Sequence, residues 1–359
     1  MISAKEVATA FKAWAQDNHL LGHEFPVELS PNLNRRDELF NSLKITSASE
    51  RLLRAKHVTA VAFNDASSEV VVMVSRKLTK RELDVLPKTY GDNITFRYLH
   101  CGNAQATLPT SGLVHSAYVV TQNGHYACGS SIHPARHIGA GTLGCLVRNG
   151  DGALFGLTNN HVSGLCSYSI VGEKILAPGH PDIEANGIDP FTIGYHEQSL
   201  PMVPGVPDNV NVANNKDAAL FKISDDRKVT SRQGWSYDTP AMVETIQSGQ
   251  AVQKVGRTTG HTYGTVTAQV VGPFPVAYQV PGVGNQLAYF DPVFVVQGSA
   301  TSPFSQSGDS GSLVVAATGG EVKAVGLVFA GDQQGLSYVL PLWPILTALN
   351  MTIVSGHNV

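Results

Sequence analysis

The sequence predicts a mostly β protein, with many short strands closing a sandwich or barrel, preceded by a small α/β unit. Two stretches and one composition carry that prediction. From residue 138 onward, short apolar runs recur between Gly, Asn, Asp and Pro turns. Before about residue 105, helix-like and strand-like segments alternate. The 359 residues include 35 Gly and 19 Pro, which supply the turns that many short strands need.

The elements follow in chain order. Ala4, Val7, Ala8, Phe11 and Trp14/Ala15 recur at helical spacing, so the first stretch reads as an amphipathic helix. "SASERLLRAKH" (47–57) reads as a second helix, with Ser47 as candidate N-cap and Glu50 three residues on. "VTAVAF" (58–63) and "EVVVMVS" (69–75) are β-branched runs joined by the "NDASS" turn, a hairpin pattern. "TKRELDVL" (79–86) returns to helix and "NITFRYLH" (93–100) to strand. Residues 1–105 therefore form an α/β unit, and residues 106–137 a junction rich in Gly, Ser, His and Pro. Residues 138–359 carry the β-rich pattern, from "GTLGCLVRN" and "GALFGLTNNHV" through "DAALFKIS" and "YGTVTAQVV" to "GSLVVAAT" and "VKAVGLVFAG". "PLWPILTALNMTIV" reads as a closing helix.

Bulk composition excludes several classes. Hydrophobic residues make up 43% and charged residues 15%, enough apolar surface for a large core and too little charge for a disordered chain. A net charge of −3 argues against a protein built to coat nucleic acid or an anionic membrane. No run approaches the length of a membrane span, and the first residues lack an apolar signal-peptide core. Four cysteines (Cys101, Cys128, Cys145, Cys166) permit two disulfides, but a chain of this size does not need them, so the expectation is a cytoplasmic protein with reduced thiols. Nothing in the sequence implies a cofactor.

The chemistry concentrates in "FSQSGDSGSLVV" (304–315). A serine hydroxyl is a poor nucleophile unless a base takes its proton, an acid orients that base and donors meet the developing oxyanion. Ser310 lies between glycines that let backbone approach a substrate closely, and the N–H groups of Gly308 and Ser310 are the candidate oxyanion hole. Of 13 histidines, His161 ends the strand-like run "ALFGLTNNHV", where a strand turns into a loop. Among the acids, Asp217 precedes the apolar strand "AALFKI", which suits a half-buried carboxylate that fixes an imidazole tautomer. Taken singly, each is an ordinary turn or strand end. Together they fall in the β-rich part in the order His161, Asp217, Ser310.

"LTNNHV", "DAALFKI" and "GDSGSLVV" resemble the three catalytic blocks of chymotrypsin-fold (trypsin-like) serine peptidases, over about residues 138–350. "KVGRTTGHTYGTV" and "VGLVFAG" resemble that family's second-barrel strands. The whole pattern is similar to a non-secreted subgroup, the narrow-leaf-type trypsin-like proteins and their bacterial relatives, some of which accompany bacterial defence systems. The resemblance implies two antiparallel six-stranded β-barrels with the site in the cleft between them. It also implies a serine endopeptidase acting on a protein or peptide substrate through an acyl-enzyme, without a metal. Regulation by the N-terminal unit, or by a protein partner bound to it, is the corresponding expectation. Oligomeric state is left open. By the family's layout Phe304 lies at the base of the substrate pocket, with Phe329, Ala330 and Gly331 as its wall. No acid sits at that base, which points to an apolar or small side chain rather than Lys or Arg.

The chain departs from the secreted enzymes in two places. Val162 stands where they commonly carry a cysteine after the catalytic His. Asp309 has no obvious counterpart to the new N-terminal ammonium that they release by cleavage. A buried carboxylate without a partner costs several kcal/mol. Either internal donors hold Asp309, the favoured alternative, or a cut near Arg136–Ile138 in "RHIGAGT" frees an amine for it.

Other signals are weaker. His115, His125, Cys128, His133 and His137 cluster in the junction, without the spacing of a structural zinc site. His261 in "TTGHT" reads as a turn histidine. Two rival functions remain: a protease-fold binding scaffold with an inactive or blocked site, and an esterase. The lack of a G-x-S-x-G elbow after a parallel strand argues against an α/β-hydrolase.

Overall fold

A computed structural model describes residues 2–21, 43, 45–113, 124–205, 210–280, 282–299, 301–318 and 321–359. His115 of the junction cluster lies outside the described residues.

Six strands of the C-terminal half form a closed ring. Ala251–Gly256 pairs with Gly260–Val270, which pairs in turn with Phe294–Gly298. Leu336–Pro341, Glu321–Gly331 and Leu313–Thr318 follow, and the last returns to Ala251–Gly256. Every neighbour pair is antiparallel, so short turns suffice to connect them. Val266, Val296, Phe304, Val314 and Val339 pack together in the core of this barrel. The helix Leu342–Leu349 closes the chain as expected, burying Leu342, Ile345, Leu346 and Leu349.

The first unit is a curled half-barrel. Cys145–Arg148, Leu154–Thr158, Ala219–Ile223, Phe191–Ser199, Lys174–Ala177 and Ser131–Pro134 pair antiparallel in that order. Thr352–Ile353 and Gly141–Thr142 extend the two edges, and the ends do not pair with each other among the described residues. One edge has another partner: the Thr142 N–H donates to the Ser310 carbonyl of the other barrel at 2.9 Å. The expected double-barrel fold is therefore present, with its first barrel open.

The N-terminal unit packs the helices Ala4–Asp17 and Ser47–Lys56 with the hairpin Val58–Asn64/Glu69–Val74 and the parallel strand Ile94–His100. Thr46, not Ser47, caps the second helix: the Thr46 hydroxyl accepts the Ser49 N–H, which places Ser47 inside the first turn. The "TKRELDVL" helix is one turn, Lys80–Leu83, held by a Thr79/Glu82 capping box. Ala62 pairs with Val270, so this sheet runs into the closed barrel. Lys12, fully buried, donates to the Val271 carbonyl at 2.6 Å and ties the first helix to the same strand.

Candidate active site

Register brings His161 and Asp217 together. Thr158 pairs with Ala219, so the chain leaving one strand and the chain entering the other emerge side by side. His161 sits in the wide helical turn Asn160–Gly164. Asn159 donates to the Asp217 carbonyl at 2.6 Å, and Asn160 to the Leu200 carbonyl at 3.0 Å, which anchor that turn. Asp217 Oδ1 accepts the His161 backbone N–H at 2.9 Å, and Asp217 Oδ2 lies 2.6 Å from His161 Nδ1. The carboxylate thus receives the Nδ1 proton, leaving Nε2 as the ring's acceptor. Asp217 is fully buried rather than half-buried. Its third donor is the hydroxyl of Tyr278, 3.0 Å from Oδ2, with the tyrosine ring edge-on to the imidazole at 5.6 Å. His161 Nε2 is buried and has no hydrogen-bond partner among the described residues.

Ser310 lies on a loop shaped by two glycines. Gly308 and Gly311 have φ of +97° and +95°, conformations that favour glycine. A Cβ at Gly311 would strike the Thr142 carbonyl and the Thr158 hydroxyl, so this loop is pressed against the strand end that leads to His161. Thr142 is the pin: its hydroxyl donates to the Gly308 carbonyl at 2.8 Å, and its carbonyl accepts the Thr158 hydroxyl at 2.7 Å. The Asp309 N–H is used internally, on the Gln306 carbonyl. The Gly308 and Ser310 N–H groups have no acceptor among the described residues, as an oxyanion hole requires. Among the described residues no hydrogen bond joins Ser310 Oγ to His161 Nε2, and the two side chains border different recesses.

Asp309 is held by internal donors. Its Oδ1 accepts the N–H groups of Thr258 and Thr259 at 2.7 and 3.1 Å. Oδ2 accepts the Thr259 hydroxyl at 2.7 Å and the Gln306 N–H at 2.9 Å. The countercharge is Lys254, whose ammonium lies 3.4 Å from Oδ2, with both side chains fully buried. Burial pushes Lys254 down from the usual lysine range, and the Asp309 charge opposes that shift. Sequence reasoning missed Lys254, although strand parity marks it: Val252 and Lys254 share one face of Ala251–Gly256, and both are buried. Tyr278 was missed as well, since an isolated tyrosine in a strand carries no catalytic signal.

The recess beside Ser310 is lined by Pro303, Ser305, Val328, Ala330, Gly331 and Asp332, among others. Phe304 and Phe329 are not part of it, which corrects the expected pocket. Both rings are fully buried: Phe304 in the core of the closed barrel and Phe329 against Phe290 at 5.1 Å. Phe304 lies in a bend outside any strand and Phe329 at a bulge between Val328 and Ala330, so neither orientation follows from strand alternation. Ala330 and Gly331 border the recess.

Among the described residues, no group of three or more His, Cys, Asp or Glu side chains is placed to hold a metal. All four cysteines are free and buried, and burial pushes Cys101 up to about 11 and Cys128 up to about 12, away from thiolate reactivity. His261 lies at the start of the strand Gly260–Val270, bonded to Gln253 at 2.7 Å, rather than in a turn.

His133 borders the same recess as His161. Its Nδ1–H is placed on the carbonyls of His137 and Pro134, at 3.1 and 3.3 Å, and burial brings its pKa down to about 4. The folded value lies below the unfolded one, so between the two the unfolded chain binds the extra proton. Stability is therefore expected to fall as pH drops from about 6.5 to about 4, by roughly 3 kcal/mol from this residue. Urea unfolding midpoints at pH 7, 5.5 and 4.5 check this: His133→Asn should flatten the pH dependence, and an unchanged slope contradicts it.

Compared with protein-family models and with curated proteins, the chain matches none. Among solved structures it is similar to protease A of Thermobifida fusca, at 18% identity and TM-score 0.41, covering 64% of this chain and 100% of that one. It is similar to a Nocardiopsis protease at 20% and 0.41, covering 63% and 97%. A Cellulomonas bogoriensis chymotrypsin matches at 17% and 0.39, covering 64% and 98%.

Proposed function

We propose that the protein is a serine endopeptidase that cleaves peptide bonds through His161, Asp217 and Ser310. The observation that carries this is the buried His161–Asp217 pair, which fixes the tautomer and leaves Nε2 without a partner among the described residues. In the proposed mechanism His161 Nε2 takes the Ser310 proton as Oγ attacks the substrate carbonyl. The oxyanion settles on the Gly308 and Ser310 N–H groups. His161 then protonates the leaving amine, and water, deprotonated by the same nitrogen, releases the acyl group. Ala330 and Gly331 in the recess wall support a small side chain beside the scissile bond, and Asp332 adds an acid to the same lining that the sequence reading did not place there. We further propose a cytoplasmic enzyme, in keeping with four free thiols, regulated through its N-terminal unit or a partner bound there and serving in defence. The internal Asp309 pair supports a Ser310 loop that forms in the full-length chain without a cut at Arg136–Ile138.

A fluorophosphonate tests the proposal directly. Ser310 is expected to become covalently labelled and Ser310→Ala to stay unlabelled. No labelling at millimolar reagent, in the intact chain or in the reduced cysteine variant described below, would instead favour the binding scaffold.

A further inference from the structure

Residues 105–110 cross the front of the candidate site. Gln105 pairs antiparallel with Gly331, at the end of the strand that walls the substrate recess. Gln105 and Ala106 also pair parallel with Ala277 and Tyr278, the latter being the residue that holds Asp217. Extended chain turns successive side chains to opposite sides. Gln105 and Thr107 accordingly border the recess that holds Ser310, while Ala106, Leu108 and Thr110 border the one that holds His161. Further on, Ser111 is tied down by Arg257 at 2.9 Å and Leu113 by Asp182 at 2.8 Å, with Arg257 and Asp182 themselves a buried ion pair.

An open strand edge recruits an extended peptide by backbone pairing, with its side chains dropping alternately into pockets. Here the chain's own segment already has that geometry. We propose that residues 105–108, Gln-Ala-Thr-Leu, occupy the position of an extended peptide substrate and close the cleft until the segment is withdrawn. This rests on the peptidase proposal above and names the regulation of the same site. The segment is not set up to be cut. The Thr107 carbonyl accepts from Ser307 Oγ at 2.7 Å, while the Gly308 and Ser310 N–H groups have no acceptor among the described residues. Pro109 packs at Gly308, where an added Cβ would meet its ring at 3.1 Å. A tethered occupant acts at an effective concentration in the millimolar range, so it excludes weakly binding peptides and yields to displacement of the tether.

A reversible lock tests the segment. Thr107 Oγ1 and Ser307 Oγ lie 3.2 Å apart, so Thr107→Cys with Ser307→Cys places two sulfurs for a disulfide. The four native thiols are buried, which directs oxidation to the new pair. Oxidised protein is expected to hydrolyse unfolded casein at background rate, and reduction to raise the rate at least tenfold. Equal rates in both states, with Ser310 labelled by fluorophosphonate in both, overturn the segment's role and leave the nucleophile standing. A Ser310-dependent cut between Thr107 and Leu108, seen by intact mass in the reduced protein, also overturns it, since the segment would then be substrate. If Ser310 is labelled in neither state the peptidase proposal fails, and binding decides the segment separately. In a Ser310→Ala background, a fluorescent peptide with the sequence of residues 103–110 should bind the reduced form and not the oxidised one. Equal binding to both forms, or to neither, overturns the inference.

Discussion

Asp217→Asn is expected to slow acylation of Ser310 by about four orders of magnitude, on the order found when a triad acid becomes an amide. Two hydrogen bonds determine how the amide must sit. Oδ1 accepts the His161 backbone N–H, a donor with no other role, so the amide oxygen is held there. The amide NH₂ then faces His161 Nδ1, where the carboxylate had accepted a proton at 2.6 Å. The imidazole answers by moving its proton to Nε2. That nitrogen can no longer accept from Ser310, although every heavy atom stays in place. The Tyr278 hydroxyl, which donates to the Oδ2 position at 3.0 Å, would instead face an amide N–H that its oxygen can accept. The check is the rate of fluorophosphonate labelling at pH 8 in the reduced cysteine background, beside a thermal melt and a nitrogen NMR assignment of the His161 tautomer. A large rate loss with a flipped tautomer and an intact melt is expected. A loss under tenfold would mean that the acid does not set the tautomer.

The His161–Asp217 pairing was legible because each residue adjoins a strand whose apolar pattern can be read. Thr158 and Ala219 pair because two apolar runs pair, and His161 and Asp217 follow from that register. The closed barrel was legible for the same reason. What escaped was side-chain orientation at single positions and contacts across long separations. Phe304 and Phe329 adjoin residues that border the recess, yet their own side chains are buried in the core, and a bend and a bulge decide this rather than a readable period. The open first barrel depends on where one edge donor goes, and Thr142 gives its N–H to a residue far along the chain. The strand Gln105–Ala106 is two residues long and has no period to detect. Lys254 sits within a block read as an ordinary strand, and its meaning appears only when folding brings Asp309 beside it.

Lys254→Met is expected to destabilise the fold by about 3–5 kcal/mol, the range for removing one partner of a buried ion pair. Asp309 would keep four neutral donors, the N–H groups of Thr258, Thr259 and Gln306 and the Thr259 hydroxyl. These satisfy its oxygens but supply no countercharge, and they are all backbone or hydroxyl groups fixed by neighbouring turns. The lysine also bonds the Thr259 hydroxyl and the Gly260 carbonyl, so the turn between the barrel's first two strands loosens with it. Because Gln306 and Asp309 are bonded to each other in the loop that ends at Ser310, the two oxyanion donors shift as the carboxylate seeks water or a proton. Activity should therefore fall with stability, mainly in kcat. Asp309→Asn alone is expected to be damaging in the opposite sense, leaving a buried ammonium that burial already disfavours. The double variant, Lys254→Met with Asp309→Asn, removes both charges together and should lose less than the sum of the single losses, by about 0.5–3 kcal/mol. Denaturant unfolding of the four proteins measures this cycle. Additive losses would mean that Lys254 and Asp309 are not partners, and a Lys254→Met protein as stable and active as the parent would mean that the four neutral donors suffice.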